Sequence, residues 1–228
     1  MAAVLPRDRH QAQALAATLR VNEIFFSIQG ETSKVGLPTV FIRLTGCPLR
    51  CQYCDTAYAF HEGVRMSIAD ILATVRARQA RHVTVTGGEP LAQKDCPALL
   101  TLLCDEGYQV SLETSGALDV SAVDTRVVKV LDIKTPGSGE EPRNRYGNLA
   151  CLNPHDQIKF VIRDRTDYEW ATQMLRARRL NEICEVLYSP CHGELQAATL
   201  ADWILADALP VRLQVQLHKY LWGDVRGK

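Results

Sequence analysis

The chain has 228 residues, 46% hydrophobic and 23% charged, which suits one domain with a buried core and excludes a disordered or collagen-like chain. Lys and Arg number 26, as do Asp and Glu, so no net positive field gathers nucleic acid or anionic lipid. No apolar run approaches the roughly 18 residues of a membrane span, and Arg7, Arg9, His10 and Gln11 interrupt the stretch where a secretory signal would lie; a cytoplasmic protein is expected.

The sequence holds no repeat, low-complexity tract or Pro/Gly/Ser-rich linker, which predicts one domain over residues 21–228 behind a short extension, residues 1–20. Val21–Ile28 and Thr39–Thr45 read as strands, rich in Val, Ile and Phe and joined by a turn with Gly and Pro. A helix is predicted over Ser67–Ala80, with Ser67 as N-cap, Asp70 three residues on, and Ile68, Ile71, Leu72 and Val75 on one face. A strand (His82–Thr86), a helix (Cys96–Glu106), a stop at Gly107 and a strand (Tyr108–Glu113) follow. Further strands are predicted over Val127–Ile133, Gln157–Ile162, Ile183–Tyr188 and Val211–Leu217, with helices over Thr166–Arg178 and Leu200–Leu209. This alternation predicts an α/β fold with a mostly parallel sheet, open or curled into a barrel. Ligands of such folds gather where the strands end at their carboxyl edge. The long loop Lys134–Asn148 falls on that edge.

Eight cysteines need a reason in a reducing compartment, where clustered thiols indicate a metal or catalysis rather than disulfides. Five are scattered, but Cys47-Pro-Leu-Arg-Cys51-Gln-Tyr-Cys54 places three thiols in eight residues directly after a strand. A structural zinc site wants four ligands, and no second pair is present. A 4Fe–4S cluster on three thiolates leaves one iron free for a non-protein ligand. The CxxxCxxC loop resembles the signature of the radical S-adenosylmethionine (SAM) superfamily. The resemblance implies that Cys47, Cys51 and Cys54 hold three irons of a 4Fe–4S cluster and that the fourth is chelated by the methionine end of SAM. It further implies reductive cleavage of SAM to a 5′-deoxyadenosyl radical that abstracts hydrogen. Tyr53 stands where the superfamily places an aromatic beside the adenine. Thr86-Gly-Gly-Glu-Pro90, one strand–helix unit later, resembles the element that holds the amino group of SAM. Its glycines allow close backbone approach, and Glu89 can accept hydrogen bonds from an ammonium.

The remaining motifs narrow the resemblance. Phe25-Phe-Ser-Ile-Gln-Gly-Glu31, Phe41-Ile-Arg-Leu-Thr-Gly-Cys47, Cys54-Asp-Thr-Ala-Tyr58, Leu112-Glu-Thr-Ser-Gly116, Leu131-Asp-Ile-Lys134, Gln157-Ile-Lys-Phe-Val161 and Gln216-Leu-His-Lys-Tyr-Leu-Trp-Gly223 are similar to segments of the 7-carboxy-7-deazaguanine synthase family. They cover nearly all of residues 21–228. The resemblance implies a partial, modified TIM-type barrel, assembled as a homodimer and served by an external flavodoxin- or ferredoxin-like electron donor. It also implies conversion of 6-carboxy-5,6,7,8-tetrahydropterin to 7-carboxy-7-deazaguanine with loss of ammonia, in queuosine and 7-deazapurine biosynthesis.

Residue by residue, the resemblance assigns Ile28, Gln29, Gly30, Arg43, Thr86 and His218 to the pterin. It assigns Tyr53, Cys54, Asp55, Gly88, Asp132, Ile133, Lys134 and Lys159 to SAM, and Thr56 to Mg²⁺. A guanidinium fork suits a carboxylate, and Mg²⁺ takes hard oxygen ligands. Where the family commonly has Gly after the Gln-Gly-Glu triplet, this chain has Thr32, which bears on the conformation of loop 30–36. Cys96, Cys104 and Cys184 read as small core residues, and the adjacent Cys191 and His192 are poorly placed to act as a nucleophile pair. Two other readings remain beside this one. A glycyl-radical-enzyme activase shares the cysteine loop and a GGEP-like turn, and a non-enzymatic iron–sulfur or zinc module would use the thiols alone.

Overall fold

The computed structural model describes the backbone of residues 6–228 and the side chains of residues 11–228. The first five residues of the expected extension lie outside it. The rest of that extension is shorter than expected: α1 spans Pro6–Ala16, and β1 already begins at Thr18 and runs to Ile28. Leu19 explains the difference, because it is buried in the main core and ties the segment to the sheet.

The later elements follow the predicted alternation, with a short strand before the first predicted helix and a C-terminal helix added to it. They are β2 (Pro38–Leu44), β3 (Val64–Ser67), α2 (Ile68–Arg76), β4 (His82–Gly87), α3 (Cys96–Asp105), β5 (Gln109–Thr114) and β6 (Val128–Asp132). Then come β7 (Gln157–Ile162), α4 (Arg165–Arg178), β8 (Glu185–Pro190), α5 (Ala197–Ala206), β9 (Arg212–Leu213) and α6 (Leu217–Trp222). Ser67 does cap α2, accepting from the Asp70 N–H. Loop Lys134–Asn148 holds short 3₁₀ turns rather than extended chain.

Among the described residues, nine strands form one sheet in the order β3-β1-β2-β4-β5-β6-β7-β8-β9. β1 pairs antiparallel with β2 and β3, and every pairing from β2 onward is parallel. The end strands do not pair with each other, so the sheet is a barrel left unclosed. Among the described residues no helix is long and apolar enough to cross a membrane.

Strand alternation decides the chemistry of the two faces. Val40, Ile42 and Leu44 of β2, Val83 and Val85 of β4, Val110 and Leu112 of β5 and Ile158 and Phe160 of β7 point to one side. There they form a single core with Ile71 and Val75 of α2, Leu99 and Leu103 of α3, and Leu175 of α4. The residues between them face the other side: Arg43, Thr86, Glu113, Asp132 and Lys159. Helix-covered parallel strands usually read as continuous apolar runs, so a polar inner face marks a ligand chamber.

One predicted strand is corrected. Val211–Leu217 forms ladder pairs only at Arg212 and Leu213. Beyond them Gln214 and Gln216 both turn inward to donate to Glu31, and the Leu217 N–H donates to the Gly30 carbonyl before α6 begins. The turn between β1 and β2 thus captures this segment and stops the strand.

Candidate active site

β2 ends at Leu44, and Gly46, with φ of +99°, turns the chain into the cysteine loop. The GGEP turn after β4 docks on that loop by backbone alone: Gly88 N–H donates to Leu44 O (3.1 Å) and Glu89 N–H to Gly46 O (2.7 Å). A Cβ on Gly88 would stand 2.3 Å from Gly46 O and 2.8 Å from the Cys47 Cβ, so only glycine permits this contact. Cys47, Cys51 and Cys54 are half-buried and line one cavity of about 340 Å³. Burial pushes the Cys51 thiol up to about 11, a bias that an iron ligand reverses by deprotonating the sulfur outright. Among the described residues, no three His, Cys, Asp or Glu side chains converge on a single ion. Thiolates that each hold a different iron of a cluster need no such convergence.

Glu89 plays a different part from the one its motif suggested. It is fully buried and turned away from the cavity. Its carboxylate accepts from the Leu91 N–H (3.0 Å), the Ser115 N–H (2.7 Å) and the Ser115 and Thr114 hydroxyls. It therefore staples the GGEP turn to the end of β5, and no ammonium can reach it.

The cavity walls fit SAM on this chain's own atoms. Among the described residues the Tyr53 hydroxyl and Asp132 Oδ1 are buried without any hydrogen-bond partner, and both residues line the cavity. Buried polar atoms are rarely left so, and a ligand with donors and acceptors supplies what they lack. Asp132 Oδ2 pairs with Lys134 Nζ at 3.1 Å. Burial would lower the Lys134 pKa, but Asp132 overcomes it and keeps the ammonium charged. The Ile133 side chain lies in the core instead, where its N–H donates to Lys159 O, so only its backbone can face a ligand. Asp55 is half-exposed and pairs with Lys219 at 3.1 Å; Lys219 and Gln216 hold its carboxyl below the usual range against the opposing effect of burial. The Thr56 hydroxyl makes no cap bond to its turn and lies 3.9 Å from the Cys54 sulfur.

The expected substrate residues belong to the same cavity, with one exception. Ile28, Gln29, Arg43, Thr86 and His218 line it, as does Lys159, expected at SAM, whereas Gly30 sits behind His218. A Cβ at Gly30 would come 2.1 Å from His218 Nδ1, so glycine lets the imidazole pack against the β1–β2 turn. Gln29 is internally tied: its carbonyl accepts from the Glu31 N–H, and its amide donates to Thr84 (3.1 Å) and Glu113 (3.4 Å). Lys159 ion-pairs with Glu31. Burial would raise the Glu31 carboxyl, but Lys159 outweighs it and holds the group ionised. Thr32, in place of the family glycine, takes the left-handed φ of +65°, and its N–H donates to Gln214 at 2.7 Å.

Sequence reasoning missed Glu31, Glu113 and Glu23 as candidates. Glu113 lines the cavity with only two long contacts, from Gln29 and Thr86 at 3.4 Å each. Burial, with Glu31 nearby, raises its pKa. The signal was present in Ser111-Leu-Glu113, since alternation puts Glu113 on the inner face once Leu112 is assigned to the core. Cys96 and Cys184 are in the core, as expected. Cys191 and His192 do reach the cavity, but burial and Glu194 push the Cys191 thiol up to about 11, leaving it protonated and poorly nucleophilic.

An unclosed, mostly parallel barrel, a CxxxCxxC loop at its carboxyl edge and a glycine turn docked on that loop define a radical SAM protein. The sequence profile of the radical SAM superfamily matches residues 41–132. The 7-carboxy-7-deazaguanine synthase of Chlorobaculum tepidum is 45% identical over 215 residues, spanning 92% of this chain and 98% of the relative. That of Koribacter versatilis is 42% identical over 219 residues, spanning 90% and 97%. The crystal structure of QueE from Escherichia coli shares the fold, with a TM-score of 0.76 at 24% identity over 91% of this chain and 98% of that one. The chain belongs to the 7-carboxy-7-deazaguanine synthase family.

Proposed function

We propose that this chain is a radical SAM lyase that converts 6-carboxy-5,6,7,8-tetrahydropterin to 7-carboxy-7-deazaguanine with loss of ammonia. The observation that carries the reading is one cavity lined both by the three cysteines and by Arg43, Gln29, Glu31, Glu113 and His218. Cys47, Cys51 and Cys54 would hold a 4Fe–4S cluster, and Gly88, Tyr53, Asp55, Asp132, the Ile133 backbone, Lys134 and Lys159 would surround SAM. When bound, the pair would supply hydrogen-atom abstraction by the radical that one-electron reduction of SAM yields. The chain's own residues do the rest. Arg43 takes the substrate carboxylate through its planar fork. Thr86 and Glu113 offer the hydroxyl and carboxylate that a pterin's edge of donors and acceptors requires, and Gln29 steadies Glu113 through its amide. The β1–β2 turn and α6 pack together at the rim of the chamber through the Gly30–His218 contact.

The same reading includes Mg²⁺ at the Thr56 hydroxyl, supported by that hydroxyl's lack of a capping bond. It also includes a homodimer, a flavodoxin- or ferredoxin-like electron donor and a cytoplasmic location. The activase reading is not favoured, because the relatives of this chain act under the synthase name over nearly their whole length.

Anaerobic reconstitution tests the reading. The protein should bind about four irons per chain, cleave SAM and turn over the free pterin. Cys47→Ala, Cys51→Ala and Cys54→Ala should each lose these activities, whereas Cys96→Ala should keep them. A triple cysteine variant that still cleaves SAM ends the proposal. Thr56→Ala should blunt the response of turnover to added Mg²⁺ at unchanged iron content, and Thr56→Ser should restore it. An unaltered Mg²⁺ response in Thr56→Ala removes the metal from that hydroxyl.

A further inference from the structure

β1 changes the direction it faces partway along its length. Val21 stands opposite Leu44 and Glu23 opposite Arg43, so two steps on β1 match one on β2 and Asn22 is the extra residue of a bulge. Leu44 is buried under the helices, while Arg43 lines the cavity. An unbroken strand would put Val21 and Glu23 on one face; the bulge sends Val21 to the core and brings Glu23 beside Arg43.

There Glu23 joins three partners. Its Oε1 accepts from Arg43 Nε at 2.8 Å and from the Tyr58 hydroxyl at 3.0 Å, and its Oε2 accepts from Arg226 Nε at 3.3 Å. The Tyr58 ring serves both guanidiniums, with its centroid 5.9 Å from Arg43 and 4.2 Å from Arg226. Phe25, stacked on Phe41, stands 5.8 Å from the Arg43 guanidinium. Arg226 is further tied to Glu62 and to the bulged Asn22, each at 2.9 Å.

The consequence is directional. A guanidinium is rigid and planar, so a bond at Nε together with neighbouring rings sets where its two terminal nitrogens point. Among the described residues those nitrogens of Arg43 have no hydrogen-bond partner, and Arg43 lines the cavity, whereas Glu23, Tyr58 and Arg226 do not. Arg43 and Arg226 are balanced by Glu23 and Glu62, so what the cluster supplies to a carboxylate is the direction of the Arg43 terminal nitrogens. Arg226 bonds the second Glu23 oxygen and holds that carboxylate in place against Arg43.

We propose that Glu23 is a positioning residue for the substrate: through the Arg43 Nε bond it aims the terminal nitrogens at the substrate carboxylate, and Arg226 holds Glu23 in that pose. This rests on the reading that Arg43 takes the carboxylate.

The test measures equilibrium binding of the 6-carboxylate pterin and its 6-carboxamide analogue to reconstituted, unreduced enzyme with SAM, so that no turnover intervenes. Wild-type enzyme should prefer the carboxylate, and Arg43→Ala should abolish the preference. Glu23→Ala should cut the preference by about tenfold, the scale of one charge-assisted contact, mainly by weakening the carboxylate ligand at unchanged iron content. Glu23→Gln, which keeps an acceptor for Nε, should retain more of it, and the half-exposed Arg226→Ala should lower it without touching the cavity wall. The Glu23→Ala/Arg43→Ala pair should be non-additive. If Arg43→Ala abolishes the preference but Glu23→Ala and Arg226→Ala keep it, the positioning role is overturned and the Arg43 assignment stands. If Arg43→Ala keeps the preference, the assignment itself falls.

Discussion

Replacing Glu89 by glutamine exchanges one oxygen for an amide nitrogen with almost no change in shape, yet the surroundings give that nitrogen nowhere to go. Oε1 accepts from the Leu91 N–H and Oε2 from the Ser115 N–H, and neither backbone donor can turn round. Whichever way the new amide is flipped, its NH₂ meets one of them. The variant loses one hydrogen bond to a charged acceptor and leaves a buried donor unsatisfied, a cost of about 3 kcal/mol. For a domain of this size that lowers the melting temperature by about 6–12 °C. Glu89→Ala should be worse, because the Thr114 and Ser115 hydroxyls lose their acceptor as well. Calorimetric unfolding of reconstituted protein, beside a titration with SAM, checks the reasoning. A Glu89→Gln variant that melts within about 2 °C of wild type while losing SAM affinity would refute it, since the carboxylate would then face the ligand.

Thr32→Gly should be tolerated within about 1 kcal/mol, because relief of left-handed strain of about 1–2 kcal/mol offsets the lost hydroxyl bond to the Lys34 N–H and the added chain entropy. Thr32→Val keeps the strain and orphans that N–H, so denaturant unfolding should rank Val below Gly; the reverse order refutes the strain argument. Burial raises the Glu113 pKa, so its ionised form costs stability above the raised value, and that cost disappears as the pH falls through it. Glu113→Gln should therefore melt above wild type at pH 8, with the gap shrinking on acidification toward the ordinary carboxylate range. A gap independent of pH shows that Glu113 titrates normally.

The reach of the sequence followed the reach of its signals. Periodicity and capping residues placed nearly every parallel strand and helix, because each amphipathic segment carries its own apolar stripe and Ser67 and Gly107 mark ends locally. The spacing of Cys47, Cys51 and Cys54 was likewise legible, since one short loop must wrap one cluster whatever surrounds it. What the tertiary structure alone decided are relations between distant segments. GGEP announced a turn near a ligand, but only packing reveals that Gly88 is needed for its missing Cβ and that Glu89 points away to hold Ser115. The end of β9 at Leu213 depends on Glu31, some 180 residues earlier, drawing Gln214 and Gln216 inward. The facing of Glu23 depends on a single bulged residue, and a period of two cannot show where a strand skips a step. Local patterns record what each segment can do alone; which carboxylate meets which arginine is set by register and by loops closing across the barrel, and no window of sequence contains both partners.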